Sequence, residues 1–242
     1  MRGLSAEGVL AVWERGHGKQ PVHYALDLYA AACPDEKREA LALHSIGKRD
    51  RALLGLREAT LGTAMQSVVA CPQCGETMEL IFNTNDFHLD RDLPPCSSGE
   101  LAVSIGGYEL QLRAPNSLDV TVAMESSELA EKILFNRCLV LAKHDGKPVR
   151  DIPEEIAETM ASRLAEIDPG SDIRLNIACA SCGRTASVLF DIAAYFWSEI
   201  EWWAKRLLGE VHELASAYGW SEREILSLSP ARRESYLRAV RS

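Results

Sequence analysis

The residues with the clearest chemical capacity are four cysteines in two pairs, Cys71/Cys74 and Cys179/Cys182, each pair followed directly by glycine. Two intervening residues let one tight turn present both sulfur atoms to a metal, and four thiolates satisfy the tetrahedral coordination of Zn²⁺. The glycine relaxes the backbone so that amide groups can face the sulfurs. The spacing therefore predicts one structural zinc ion bound by all four cysteines.

The residues around the two pairs repeat as well. Adding 108 to each position of the first pair gives the second, and in this register Thr77 matches Thr185 and Phe82 matches Phe190. Each half then consists of a cysteine turn followed by a strand that ends in an aromatic residue. We interpret the two halves as a split zinc ribbon.

The distance between the halves is unusual for a ribbon. A compact ribbon has about 15–20 residues between its cysteine pairs, whereas 104 residues lie between Cys74 and Cys179. Residues 83–172 are therefore expected to form an insertion. A metal can still close such a loop, because the entropic cost of closure grows only logarithmically with loop length.

Three alternatives remain for the cysteine pairs. Each could be a thioredoxin-like redox centre, which requires the cysteines at the N-terminus of a helix, although a strand is expected after each pair here. The zinc could be catalytic, which requires three protein ligands and an open position. The pairs could also be vestigial and bind no metal.

The charge balance restricts the partners. The net charge of −9 makes a surface that repels phosphate, which disfavours nucleic acids and anionic membranes. No apolar run approaches the roughly 20 residues that span a bilayer, and the N-terminus lacks a secretory pattern. We expect a cytoplasmic protein without membrane contact, in a compartment where thiols stay reduced.

Motifs for catalysis are missing from the sequence. It contains no phosphate-binding glycine loop, nucleophile elbow or zinc-protease motif. We therefore expect neither an enzymatic activity nor a small-molecule substrate.

The hydrophobic pattern predicts a mainly helical α+β fold. Residues 5–68 have helical spacing, residues 78–82 and 173–177 are predicted strands, and residues 83–99, with Cys96, are a predicted loop. Alternating residues on either side of Gly106–Gly107 predict a β-hairpin over 101–112. Further helices are predicted over 117–141, 153–167 and 192–218.

The last third of the chain has clear helix boundaries. Gly219 is a predicted helix stop, Ser221 and Glu224 form a capping box, and Ser229 and Pro230 begin a final helix. The domain prediction follows from these elements: an N-terminal helical region at 1–68, the split ribbon at 69–191 with its insertion, and a C-terminal helical region at 192–242.

Aromatic residues and arginines of the C-terminal region form a candidate partner surface. Its residues are Trp197, Trp202, Trp203, Trp220, Arg232 and Arg233. Tryptophan and arginine often anchor protein interfaces. Apolar residues surround the helix axis here, so core packing is the alternative for the tryptophans.

The segment Tyr218–Leu237, together with Phe196–Ile200 and the second cysteine pair, resembles the T-even-type baseplate protein family. The resemblance is looser at Arg49-Asp50, at Leu56–Glu58 and at the first pair. The family includes baseplate hub assembly proteins of contractile phage tails, with relatives in phage-tail-like injection systems. The resemblance implies a chaperone or structural factor that binds hub or other tail proteins, and it implies no catalytic residue.

The sequence therefore leaves two alternative functions. The first is a non-enzymatic assembly or structural factor of a contractile-tail baseplate, which acts in the cytoplasm or within the tail particle. The alternative is a zinc-ribbon protein that binds nucleic acid or takes part in transcription. The acidic residues near the first pair, Glu76 and Glu79 among them, argue against the alternative.

Overall fold

The computed structural model describes residues 2–87, 100–126 and 129–241, without the side chains of 161–162 and 164–165. The fold combines helices and strands, and 55% of it is helical. This agrees with the predicted mixture of helices and strands in which helices predominate. The N-terminal helices are α1 (Ala6–Gly16), α2 (Pro21–Ala32), α3 (Arg38–Leu41) and α4 (Ile46–Leu61). Among the described residues, no helix has both the length and the apolar composition needed to cross a bilayer.

The helical prediction for residues 5–68 is wrong at its C-terminal end. Helix α4 stops before Gly62, which has a φ of 87° that L side chains rarely adopt. The chain then forms strand β1 (Ala64–Ala70), which pairs antiparallel with β2 (Thr77–Asn83). The two consecutive valines of β1 suit a strand better than a helix. The first cysteine pair therefore has a strand on both sides.

The described residues of the insertion form a four-stranded antiparallel sheet and three α-helices. The strands, in sheet order, are β3 (Glu100–Ile105), β4 (Tyr108–Arg113), β5 (Leu139–His144) and β6 (Lys147–Pro148). The helices are α5 (Ser117–Met124), α6 (Ala130–Cys138) and α7 (Glu154–Ile167).

Two predictions within the insertion have different outcomes. The hairpin around Gly106–Gly107 is confirmed. The helical prediction over 117–141 is confirmed for α5 and α6 and is wrong at its C-terminal end, because residues from Leu139 onward pair with β4 and extend the sheet. Residues 88–99 of the predicted loop, including Cys96, lie outside the described residues.

The second cysteine pair lies between β7 (Arg174–Ala178) and β8 (Thr185–Leu189), which form an antiparallel hairpin like that of β1 and β2. The C-terminal helices follow as α8 (Ile192–Tyr218), α9 (Glu222–Ser227) and α10 (Pro230–Arg241). Their predicted boundaries are confirmed. Gly219 has a φ of 70° after α8, and Ser221 and Glu224 form the capping box of α9.

Among the residues that the structure describes, buried apolar side chains form three clusters. The largest contains residues of α1, α2, α4, both hairpins and α8, including Leu28, Leu53, Phe82, Phe190 and Phe196. The insertion has its own cluster of Leu110, Leu112, Phe135 and Met160. A small third cluster joins α8, α9 and α10 through Leu214, Ile225 and Leu237. All three predicted regions contribute residues to the largest cluster. The clusters therefore do not separate these regions, and the domain boundaries stay a prediction.

Polar contacts also connect α4 to distant parts of the chain. The backbone N–H of Gly47 donates to the buried Asp168 carboxylate at 2.6 Å. The Arg57 guanidinium donates to both carboxylate oxygens of Glu199 in α8, at 3.0 and 2.7 Å. These bonds hold the end of the insertion and the long C-terminal helix against α4.

Candidate metal centre

The first cysteine turn is closed by backbone hydrogen bonds. The N–H of Cys71 donates to the carbonyl of Glu76 at 2.8 Å, and the N–H of Gly75 donates to the carbonyl of Cys71 at 2.9 Å. Gly75 has a φ of 74°, in the left-handed region that favours glycine. The turn between β1 and β2 therefore contains both Cys71 and Cys74.

The second turn has the same bonds at the equivalent positions. The N–H of Cys179 donates to the carbonyl of Arg184 at 2.9 Å, and the N–H of Gly183 donates to the carbonyl of Cys179 at 2.9 Å. Gly183 has a φ of 69°. The sequence repeat is therefore a repeat of backbone structure.

The four sulfur atoms converge on one point. The Sγ atoms of Cys71 and Cys182 are 3.8 Å apart, and those of Cys74 and Cys179 are 3.7 Å apart. All four lie within 4.8 Å of one another. A tetrahedron with metal–sulfur bonds of about 2.3 Å has edges of about 3.8 Å, whereas a disulfide requires about 2.05 Å. The arrangement fits one tetrahedral metal ion that joins the two halves.

The centre lies at the edge of the folded chain. Cys71 and Cys179 are each 4% exposed, whereas Cys74 and Cys182 are exposed. The buried pair faces the protein, and the exposed pair gives a metal ion a path from solvent.

The pKa values within the first turn show how the sulfurs influence one another. Backbone N–H groups of Gln73 and Cys74 donate to the Cys71 sulfur and lower the pKa of this thiol to about 7. The N–H of Glu76 lowers the pKa of Cys74, but desolvation and hydrogen bonds with the other sulfurs outweigh it and raise that pKa to about 12. Neighbouring thiolates repel each other. A divalent cation offsets this repulsion, and its binding releases protons.

The geometry bears on the two chemical alternatives. A redox centre of the thioredoxin type needs its cysteines at a helix N-terminus, whereas strands flank both pairs here. A catalytic zinc needs an open position, and four cysteines fill a tetrahedral shell. In the part of the chain that the structure describes, no other group of three or more ligating side chains converges in this way.

Few positive charges are available around the centre. Arg184 donates to the side chain of Gln73 at 2.7 Å and so links the two turns. Glu76 and Glu79 are exposed beside the first turn.

Aromatic rings pack beneath the β1/β2 and β7/β8 hairpins, which carry the cysteine turns. Phe82 and Phe190, the repeat-equivalent residues, meet edge to face with ring centroids 5.5 Å apart. Phe87 stacks on Phe190 at 4.9 Å. The Tyr195 hydroxyl donates to the carbonyl of Gln66 in β1 at 2.8 Å and accepts from its N–H. Sequence reasoning missed the roles of Phe87 and Tyr195, because neither residue belongs to a recognisable motif.

Three of the four candidate tryptophans pack partly into the fold. Trp197 stacks on Tyr24 with ring centroids 4.7 Å apart, and Trp203 packs against the largest cluster. Trp220 meets Tyr236 edge to face at 4.9 Å. Trp202 is different, because it is 64% exposed.

The two candidate arginines also differ. Arg233 is buried, and its guanidinium donates to Glu210 of α8 at 2.6 Å. This ion pair attaches α10 to α8, so Arg233 is unavailable to a partner. Arg232, the preceding residue of α10, is exposed.

Residues 15–197 match the family described as T4 bacteriophage base plate protein. The chain belongs to this family. The role of this baseplate protein is therefore structural or in baseplate assembly, and it associates with other tail proteins. No curated protein and no solved structure gives a significant match.

The matched range of the baseplate protein contains both cysteine turns, the insertion and most of the N-terminal helices. It ends at Trp197. The second cysteine pair and the start of Phe196–Ile200 therefore lie within the match, whereas Tyr218–Leu237, the other segment that carries the resemblance, lies beyond it.

Proposed function

We propose that this baseplate protein is a non-enzymatic assembly or structural factor of the hub of a contractile phage tail or a phage-tail-like injection system. The observation that carries the proposal is the family match over residues 15–197. A chaperone of hub assembly and a permanent hub component are the two forms of this role.

The proposed cofactor is a single structural zinc ion in a split zinc ribbon. Sulfur separations of 3.7 and 3.8 Å between opposite turns support it, as does the preference of Zn²⁺ for four thiolates. On this proposal the metal joins regions 104 residues apart and keeps the insertion and the C-terminal helices in a fixed relation.

The proposed partner surface is the exposed side of α8 and α10. Trp202 offers a large apolar ring, and the Arg206 guanidinium lies 5.6 Å from its centroid. Arg232 adds an exposed positive charge. Exposed tryptophan and arginine are the side chains that most often dominate binding energy at an interface.

Affinity purification of the tagged chain, co-expressed with the tail proteins encoded near it, tests the function. We expect hub proteins to co-purify, and we expect Trp202→Ala to weaken their recovery about tenfold. Leu208→Ala, at a half-exposed position of the same helix, is the matched control. Normal particle assembly after deletion of the gene would refute the proposal. Mass spectrometry of finished particles separates a chaperone from a component.

A further inference from the structure

Helix α5 exposes apolar side chains and buries polar ones. Ser117 and Asp119 are 1% and 0% exposed, whereas Leu118 and Val122, one turn apart on the same face, are 41% and 37% exposed. Met124 and Leu129, which follow, are 46% and 55% exposed. An amphipathic helix that packed only within its own chain would have the opposite arrangement.

Ion pairs fix this orientation. Asp119 accepts hydrogen bonds from Arg113 at 2.6 and 3.0 Å, from Arg137 at 2.8 Å and from the backbone N–H of Asn116 at 3.0 Å. Rotating α5 to bury Leu118 would break these bonds and leave buried charges without partners, which is costly. The apolar face therefore stays outward in the folded protein.

The insertion that carries α5 is strongly acidic. Residues 83–172 contain 17 acidic and 8 basic residues, so their net charge of −9 equals that of the whole chain. The remaining residues are balanced, with 18 of each sign. Glu125, which caps the C-terminus of α5, is exposed, and so is Glu131, two residues after Leu129. Exposed acidic residues thus follow the apolar face at the C-terminal end of α5.

We propose that the exposed face of α5 with Leu129, here named the α5 surface, is a docking site for a basic amphipathic helix of a partner protein. Apolar side chains of such a helix would cover Leu118 and Val122, and its Lys or Arg residues would pair with Glu125 and Glu131. A second copy of this chain fits poorly, because two acidic insertions would repel each other. The proposal rests on the proposed function only in taking the partner to be a protein.

Binding of synthetic peptides to the full-length chain tests this site without any tail protein. One fluorescent peptide has leucine and lysine in helical period, and a matched peptide has glutamate in place of lysine. We expect the lysine peptide to bind at least tenfold more tightly, with an affinity that falls as salt rises. We expect Leu118→Ser combined with Val122→Ser to weaken its binding about tenfold.

Two further variants make the test specific. Leu43→Ser changes a leucine that is 62% exposed outside the insertion and is expected to leave binding unchanged. Glu125→Lys combined with Glu131→Lys keeps the apolar face. We expect this double variant to bind the lysine peptide more weakly than the wild type does, without weakening the binding of the glutamate peptide. Equal binding of both peptides, unchanged binding by the double serine variant, or a chain that dimerises through this face would overturn the proposal. None of these results depends on whether hub proteins co-purify.

Discussion

The ring of Phe82 lies edge to face against that of Phe190, with centroids 5.5 Å apart. These residues occupy the same position in the two halves of the repeat, so equivalent strand ends meet beneath the cysteine turns. The metal centre therefore joins the turns of the β1/β2 and β7/β8 hairpins, and the aromatic contact joins the opposite ends of the same hairpins. Each contact can be tested separately.

Loss of one cysteine should remove the metal. In Cys182→Ser the shell keeps three thiolates, and we expect zinc to be lost on dialysis and the free energy of unfolding to fall by roughly 3 kcal/mol or more, since binding of a structural zinc is folding free energy. Zinc content and chemical denaturation measure both effects. Cys33→Ser, at a half-buried cysteine outside the centre, should keep the metal.

Loss of the aromatic contact should lower stability and leave the ligands in place. Phe190 is buried between Phe82 and Phe87, so Phe190→Ala should cost about 3–5 kcal/mol. Leu189→Ala, at the adjacent 64% exposed residue, should change the free energy of unfolding by less than about 0.5 kcal/mol. Denaturant titration compares them. Equal losses would contradict the packing described here.

The contact between Gly47 and the end of the insertion leaves no space for a side chain. A Cβ at Gly47 would overlap the Asp168 carboxylate and lie 2.8 Å from the carbonyl carbon of Gly170. Gly47→Ala should therefore destabilise the chain by about 2 kcal/mol or more. Gly209→Ala lies within α8 with nothing within 4 Å and should stabilise it by up to about 1 kcal/mol. Thermal unfolding should give shifts of opposite sign.

The Asp119 ion pairs should make stability depend on acid. Burial raises the pKa of Asp119, but hydrogen bonds from Arg113, Asn116 and Arg137 together hold it below its ordinary value. The stabilisation is then complete above the unfolded-state pKa of about 3.9 and is lost as pH falls through the lower folded-state value. Asp119→Asn should cost about 3 kcal/mol at pH 7.

As pH falls below about 4, the free energy of unfolding of Asp119→Asn should decrease less than that of the wild type, because the variant has no carboxylate to protonate at this position. Asp145→Asn, whose side chain is 80% exposed, is the control and should follow the wild-type profile. Parallel acid profiles of Asp119→Asn and wild type would show that Asp119 does not titrate in this range.

The cysteine centre can be predicted from the sequence because each of its turns is determined by a few consecutive residues. Cys-x-x-Cys-Gly determines each turn, and the register through Thr77 and Thr185 relates one turn to the other. The caps at Gly219 and Ser221 are predictable for the same reason, since each depends on residues within one helical turn.

Long-range relations have no such local signal. The helical predictions extend over residues 64–68 of β1 and 139–141 of β5, because the strand character of both depends on pairing with β2 and β4. Arg57 and Glu199 are far apart in the chain, and each alone has the pattern of a solvated charge. Arg233 was assigned to a partner surface for this reason, although Glu210 holds it inside the fold.

The metal content of the purified wild-type chain tests the central claim most directly. Elemental analysis of protein purified under reducing conditions, without added metal, should give one zinc per chain, retained through gel filtration. A folded chain that contains no metal, or iron in place of zinc, would contradict the account.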